Sequence, residues 1–168
     1  MNFAQPTVIK EVLGEVVSVN LSAGGIPKHP QPLVTVIERG IVGDQQAHEK
    51  HRRPDRALSL WDEELLQELV REGYEIVPGS IGENILVRGV DVQNMDPETM
   101  LEVGSVLIKL EQPRKPCFIL DPIDVKLKDV ISGRTGYMAS VIKGGEIRPG
   151  DVVRLIQFDP PTTDRGSE

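Results

Sequence analysis

One cysteine stands in this sequence, and its neighbours offer the first chemistry. Cys117 closes the run Glu111-Gln112-Pro113-Arg114-Lys115-Pro116-Cys117. Arg114 and Lys115 place positive charge within three residues of the thiol. Nearby cations favour the thiolate, the form that attacks electrophiles and ligates metals. Pro116 stiffens the approach to it. A free cysteine also packs as a small apolar residue, and the local sequence admits that role too. A single cysteine allows no internal disulfide framework.

A second cluster runs from Gly43 and Asp44 through His48, His51, Arg52, Arg53, Pro54 and Asp55 to Arg56. Asp44, His48 and His51 could ligate a metal, since two histidines three apart can share a helix face. Pro54 and the loop-like composition weaken that helix, and a zinc site normally shows a fuller ligand set. The arginines offer forked donors suited to phosphate or carboxylate, or they form a solvated basic loop. A third cluster, Pro78-Gly79-Ser80-Ile81-Gly82-Glu83-Asn84, can turn tightly with its backbone amides facing an anion. It lacks the Lys and Ser/Thr of a P-loop. In Ser132-Gly133-Arg134-Thr135-Gly136-Tyr137, Arg134 sits between glycines, where little crowds its approach to a ligand.

Short elements must carry these clusters. The chain has 16 Gly and 13 Pro, against about 20 together in an average chain of this length. The pattern predicts strands over residues 13–21, 33–38, 85–88, 106–111, 136–142 and 152–158. One helix is expected over 60–72, with Ser59 as N-cap, Asp62 completing a capping box, and Gly73 as the stop. A short helix is expected over 123–131. Residues 26–32 and 43–55 read as irregular loops. The fold class is therefore mainly β with a few helices, a barrel with helical decoration. Residues 1–159 read as one domain and 160–168 as a flexible polar tail.

Charge and hydropathy exclude several functions. The net charge is -7, so no basic footprint exists for nucleic acid. Three Phe, two Tyr and one Trp are too few to stack a single strand. No apolar run is long enough for a membrane span, and the N-terminus lacks the pattern of a secretory signal. A cytoplasmic location is the resulting expectation.

The order of the clusters carries more than any one of them. Gly43-Asp44, then His51 with Pro54-Asp55-Arg56-Ala57-Leu58, then Gly82-Glu83-Asn84, then Gln112-Pro113-Arg114 with Pro116-Cys117, then Gly133 and Gly136, then Pro149-Gly150-Asp151, together resemble the MOSC domain. This is the C-terminal domain family of molybdenum-cofactor sulfurases, which also exists as small free-standing proteins. The likeness covers residues 14–156. It implies a β-barrel related to the barrel domain of pyruvate kinase. It also implies that Cys117 carries sulfur as a persulfide, or ligates molybdenum in enzymes that reduce N-hydroxylated compounds. His51 and Arg56 map to the family's His and Arg, and Gly82, Glu83 and Asn84 to its Gly-Glu-Asn. Many relatives have two glycines where this chain has Arg52 and Arg53.

Three functional expectations follow. In the first, a molybdenum cofactor (molybdopterin) is bound by Arg56, Gly82, Glu83, Asn84, Arg114 and Arg134. Cys117 is then the metal ligand, and Cys117 and His51 are the catalytic residues. In the second, Cys117 accepts sulfur from a pyridoxal-phosphate-dependent cysteine desulfurase; that cofactor has no site in this chain. In the third, the chain is a non-catalytic module for a pterin or another anion. A reductase would need a separate electron-donor protein, since no flavin or iron–sulfur ligand set is visible. In each case Cys117 is expected in a partly open cleft between the Gly82-Glu83-Asn84 turn and the 51–56 loop.

Overall fold

The computed structural model describes residues 6–45 and 53–159. Eleven strands and two helices are built from them: β1 (Val8–Leu21), β2 (His29–Gln31), β3 (Val34–Ile37), β4 (Gly40–Ile41), β5 (Leu58–Asp62), α1 (Glu63–Arg71), β6 (Ile85–Arg88), β7 (Met100–Val103), β8 (Val106–Pro113), α2 (Leu127–Val130), β9 (Tyr137–Lys143), β10 (Gly145–Ile147) and β11 (Val152–Phe158). Seven strands run β11-β7-β8-β9-β5-β6-β1 and close on themselves, because β1 also pairs with β11. Only the β5–β6 pair in this ring is parallel. Closure leaves no open edge around the ring, and β2 extends β1 at one end. A small sheet, β10-β3-β4, lies beside the barrel.

Two apolar clusters explain why these segments take these places. Alternate residues of the strands fill the barrel, among them Val16, Leu58, Leu60, Ile85, Val87, Leu101, Ile108, Leu110 and Val153. The second cluster lies outside, where Leu66 and Leu69 of α1 meet Trp61, Leu86, Ile81, Leu120, Leu127 and Ile131. The β5–β6 pair is thus covered on both faces. Every residue of β5 is buried, the polar Ser59 and Asp62 included, so burial does not alternate along it.

Here the expected helix gives way. Its first three residues, 60–62, belong to β5, and α1 begins at Glu63 with Asp62 as N-cap. Ser59 is a strand residue whose amide donates to Asn84 Oδ1 at 3.1 Å. The expected loop 26–32 contains β2, which pairs with the end of β1. The helix expected over 123–131 is reduced to the four residues of α2. The other expected strands are present, with β1 and β8 longer than foreseen. Residues 46–52 and 160–168 lie outside the described residues. Among the described residues no helix is long and apolar enough to cross a membrane.

Candidate active site

A cleft of about 390 Å³ opens at the end of the barrel where β8 stops. Clefts of this size hold small molecules. Cys117 reaches it through a clamped segment. The Arg114 amide donates to Gly136 O at 2.9 Å, and Thr135 Oγ1 donates to Arg114 O at 2.6 Å. Gly136 has a φ of +77°, and a Cβ there would overlap the Leu60 carbonyl oxygen, so only glycine permits this approach. Three residues on, Cys117 starts a short 3-10 turn, Phe118–Leu120, and lies part-buried in the cleft lining.

Four cationic side chains share that lining: Lys28, Arg56, Arg114 and Lys115. No acidic side chain does so among the described residues. Arg114 Nη2 donates to Ile81 O at 2.9 Å. Its Nη1 is buried without a hydrogen-bond partner among the described residues. Burial lowers the Arg114 pKa from its ordinary value, opposed by the charges of Glu83 and Cys117. Arg56 ends the 3-10 turn Pro54–Arg56, which brings it to the same cleft.

The cleft wall is a buried polar network. Lys28 Nζ binds both oxygens of Asp44 at 2.6 Å. Asp44 also accepts from the Ser22 amide at 2.9 Å and from Asn84 Nδ2 at 2.9 Å. Asn84 Nδ2 donates to Asn20 O as well, and its Oδ1 accepts from Ser59. Asn84 therefore lines the cleft while its amide is committed to neighbouring strands and loops. Among the described residues no group of three His, Cys, Asp or Glu could hold a metal ion, and Asp44 is engaged with Lys28.

The structure brings Cys117, Arg114, Arg56, Gly82 and Asn84 to one cleft. It does not bring Arg134 there. That guanidinium turns outward to Glu72 at 2.6 Å and Glu68 at 3.4 Å, because α1 presents both acids to it. Its placement thus runs against the expectation of a cofactor contact. Glu83 is also withdrawn from the lining. It is fully buried, and its Oε1 accepts from the Gly79 amide. Burial pushes its carboxyl up to about 7. His51, His48 and Arg52 lie outside the described residues. The cleft and its wall also use Lys28, Ser59, Asn20 and Thr135, none of which the sequence marks as a site residue. Lys28 sits in a proline-rich loop with no charge near it in sequence, so its pairing with Asp44 is a long-range product of the fold.

A closed barrel whose end gathers a thiol and several cations matches a recognised domain. Residues 47–154, more than half of the chain, fit the family model of the MOSC domain, and the chain belongs to that family. The chain is 32% identical over 128 residues to Protein YiiM of Escherichia coli, covering 71% of this chain and 57% of that protein. It is 27% identical over 134 residues to a protein named Reductase from Gibberella moniliformis, covering 73% of this chain and 23% of that protein. The chain thus spans less than two thirds of either relative. The crystal structure of YiiM from Geobacillus stearothermophilus superposes with a TM-score of 0.65 at 22% identity, over 89% of this chain and 76% of that one, which speaks for the fold.

Proposed function

We propose that this chain binds a molybdenum cofactor in the Cys117 cleft and acts in the reduction of N-hydroxylated compounds. One observation carries the reading. Among the described residues, a thiol and a buried guanidinium whose Nη1 has no hydrogen-bond partner line one cleft without an acidic side chain, in a chain of the MOSC family. Soft thiolate suits such a metal, and forked arginine donors suit an anionic pterin phosphate. The donor set therefore fits the group. Cys117 would ligate the metal, and Arg114 and Arg56 would hold the anionic part. Ile81, Met138 and Ile119 offer the apolar wall that excludes water from it. When bound, the cofactor supplies the electron transfer that N–O reduction requires. Reducing N–OH to N–H consumes two electrons and two protons and releases water. A separate donor protein must bring the electrons. His51 remains a catalytic candidate on sequence grounds alone.

The relative named Reductase supports a redox role, though it matches only a part of that protein. Protein from a cofactor-competent host should contain roughly one molybdenum per chain, and Cys117→Ser should lose it. Metal content unchanged in that variant removes Cys117 as ligand. The part-exposed thiol also suits a second reading, sulfur carriage. Mass spectrometry after incubation with a cysteine desulfurase and cysteine would then show one added sulfur atom on Cys117. No adduct on a molybdenum-loaded protein decides for the first reading.

A further inference from the structure

The turn before β6 already holds an anion of its own. The Glu83 carboxylate folds back so that Oε1 accepts from the Gly79 amide, and the amides of Ile81 and Glu83 itself also bond to it. The glycine-rich turn expected to offer its amides to a ligand has the Gly79 amide spent on its own side chain and those of Ser80 and Gly82 on the carbonyls of Val77 and Gly79. Gly79, at φ +90°, makes this possible, since a Cβ there would overlap the Lys28 carbonyl oxygen. Arg114 packs against the same turn through its bond to Ile81 O. At this turn Glu83 Oε2 and Arg114 Nη1 are buried without a hydrogen-bond partner among the described residues. Buried polar atoms are rarely orphaned, and two of opposite character beside one cleft call for an account.

The charges around them supply it. Arg114 is the charge that acts on Glu83, while Cys117 acts on Arg114. Across Asn84, Lys28 and Asp44 neutralise each other, and Arg56 lines the cleft above. With Glu83 ionised, carboxylate and guanidinium cancel locally, and the cations left over on the cleft lining are Arg56 and Lys115. An anion arriving on Arg114 would then be placed near a second, buried negative charge that already offsets this guanidinium, which is costly in a low-dielectric interior. A proton on Glu83 removes that cost, and Oε2, the oxygen without a donor, is where it can reside. Burial already brings this carboxyl into the neutral range, so the proton is available from solvent.

We propose that Glu83 is a positioning residue coupled to Arg114: an anion binding at Arg114 is accompanied by uptake of one proton from solvent onto Glu83. This rests on the cleft being an anion site, and it assigns Glu83 a role that needs no contact with the ligand. The probe is inorganic sulfate, which does not titrate between about pH 6 and 8.5. Binding to the full chain is followed by the amide chemical shifts of Gly82 and Arg114. The apparent Kd should weaken by roughly tenfold per pH unit above about pH 7. Glu83→Gln should bind sulfate with a flat profile, and Arg114→Ala should lose it at every pH. A flat profile in the unaltered chain, or a slope that survives in Glu83→Gln, overturns the coupling but leaves the anion site standing. Absence of sulfate binding at any pH overturns both. The carboxyl carbon of Glu83, titrated with and without sulfate, gives the answer without any variant. An upward displacement of its midpoint is expected, and an unmoved midpoint defeats the proposal. Proton-linked sulfate binding in a chain that takes up no molybdenum would sink the functional reading alone.

Discussion

Asp62 and Glu83 lie at opposite ends of the same parallel strand pair, and both are buried carboxyls pushed up to about 7 by desolvation. Their surroundings differ. Asp62 caps the junction of β5 and α1 and accepts from the amides of Val92 and Gln93, both at 3.1 Å. Both of its oxygens have partners, and it is not part of the Cys117 cleft lining. Glu83 has one oxygen in a nest of amides, one oxygen without a donor, and a half-satisfied guanidinium beside it. Burial and pKa alone do not separate a staple from a working group. The unspent hydrogen-bonding capacity next to an opening does.

The largest effect on this comparison should come from the ion pair beside Glu83. Lys28→Ala leaves the Asp44 charge buried and should cost about 3–5 kcal/mol in urea unfolding. A loss below about 1 kcal/mol would show that the pair is not a wall of the cleft. Next comes Asp62→Ala, which strands two amides and should cost about 2–4 kcal/mol without altering the metal content of the protein. If metal content falls with stability intact, Asp62 belongs with Glu83 after all.

A smaller effect appears in the pH dependence of stability. The ordinary values are 3.8 for Asp62 and 4.5 for Glu83, and both rise to about 7 on folding. Between those limits the folded chain binds more protons than the unfolded one. Stability from these groups is therefore full below about pH 4, falls as pH rises through 7, and then levels. Asp62→Asn and Glu83→Gln should each flatten part of that fall in urea midpoints taken across the range. A slope unchanged in both variants would refute the raised values. The smallest effect belongs to Arg134→Ala, which breaks surface pairs with Glu68 and Glu72. It should barely move Tm and should spare sulfate binding, whereas Arg114→Ala should abolish that binding. Lost sulfate affinity in Arg134→Ala would restore this arginine to the site.

The sequence reveals the barrel where strands have one wet side. Residues of β8 alternate between Val106, Ile108 and Leu110 inside and partly exposed positions outside, and period two is visible. It hides β5, because Leu58 and Leu60 face the barrel while Trp61 faces the outer cluster. A strand buried on both sides has no period, and Trp61, Leu65 and Leu69 then imitate a helix. The motif order pointed to the cleft that gathers Cys117, Arg114, Arg56 and Gly82. It could not tell that Glu83 would turn inward onto the Gly79 amide, since a carboxylate next to glycines looks the same whether it faces inward or outward. Nor could it separate Arg134 from Arg114. The two differ in whether an acid waits at the end of the guanidinium, and Glu72 lies 62 residues from Arg134.

Trp61 has a consequence of its own. It is the only tryptophan in the chain, it is fully buried, and its indole N–H donates to Arg134 O at 2.7 Å. Its ring lies in the outer layer between β5 and α1, outside the barrel interior. Intrinsic fluorescence therefore watches one seam of the molecule. A red-shifted emission would signal that the helical cover has lifted, even while the ring of strands beneath stays closed.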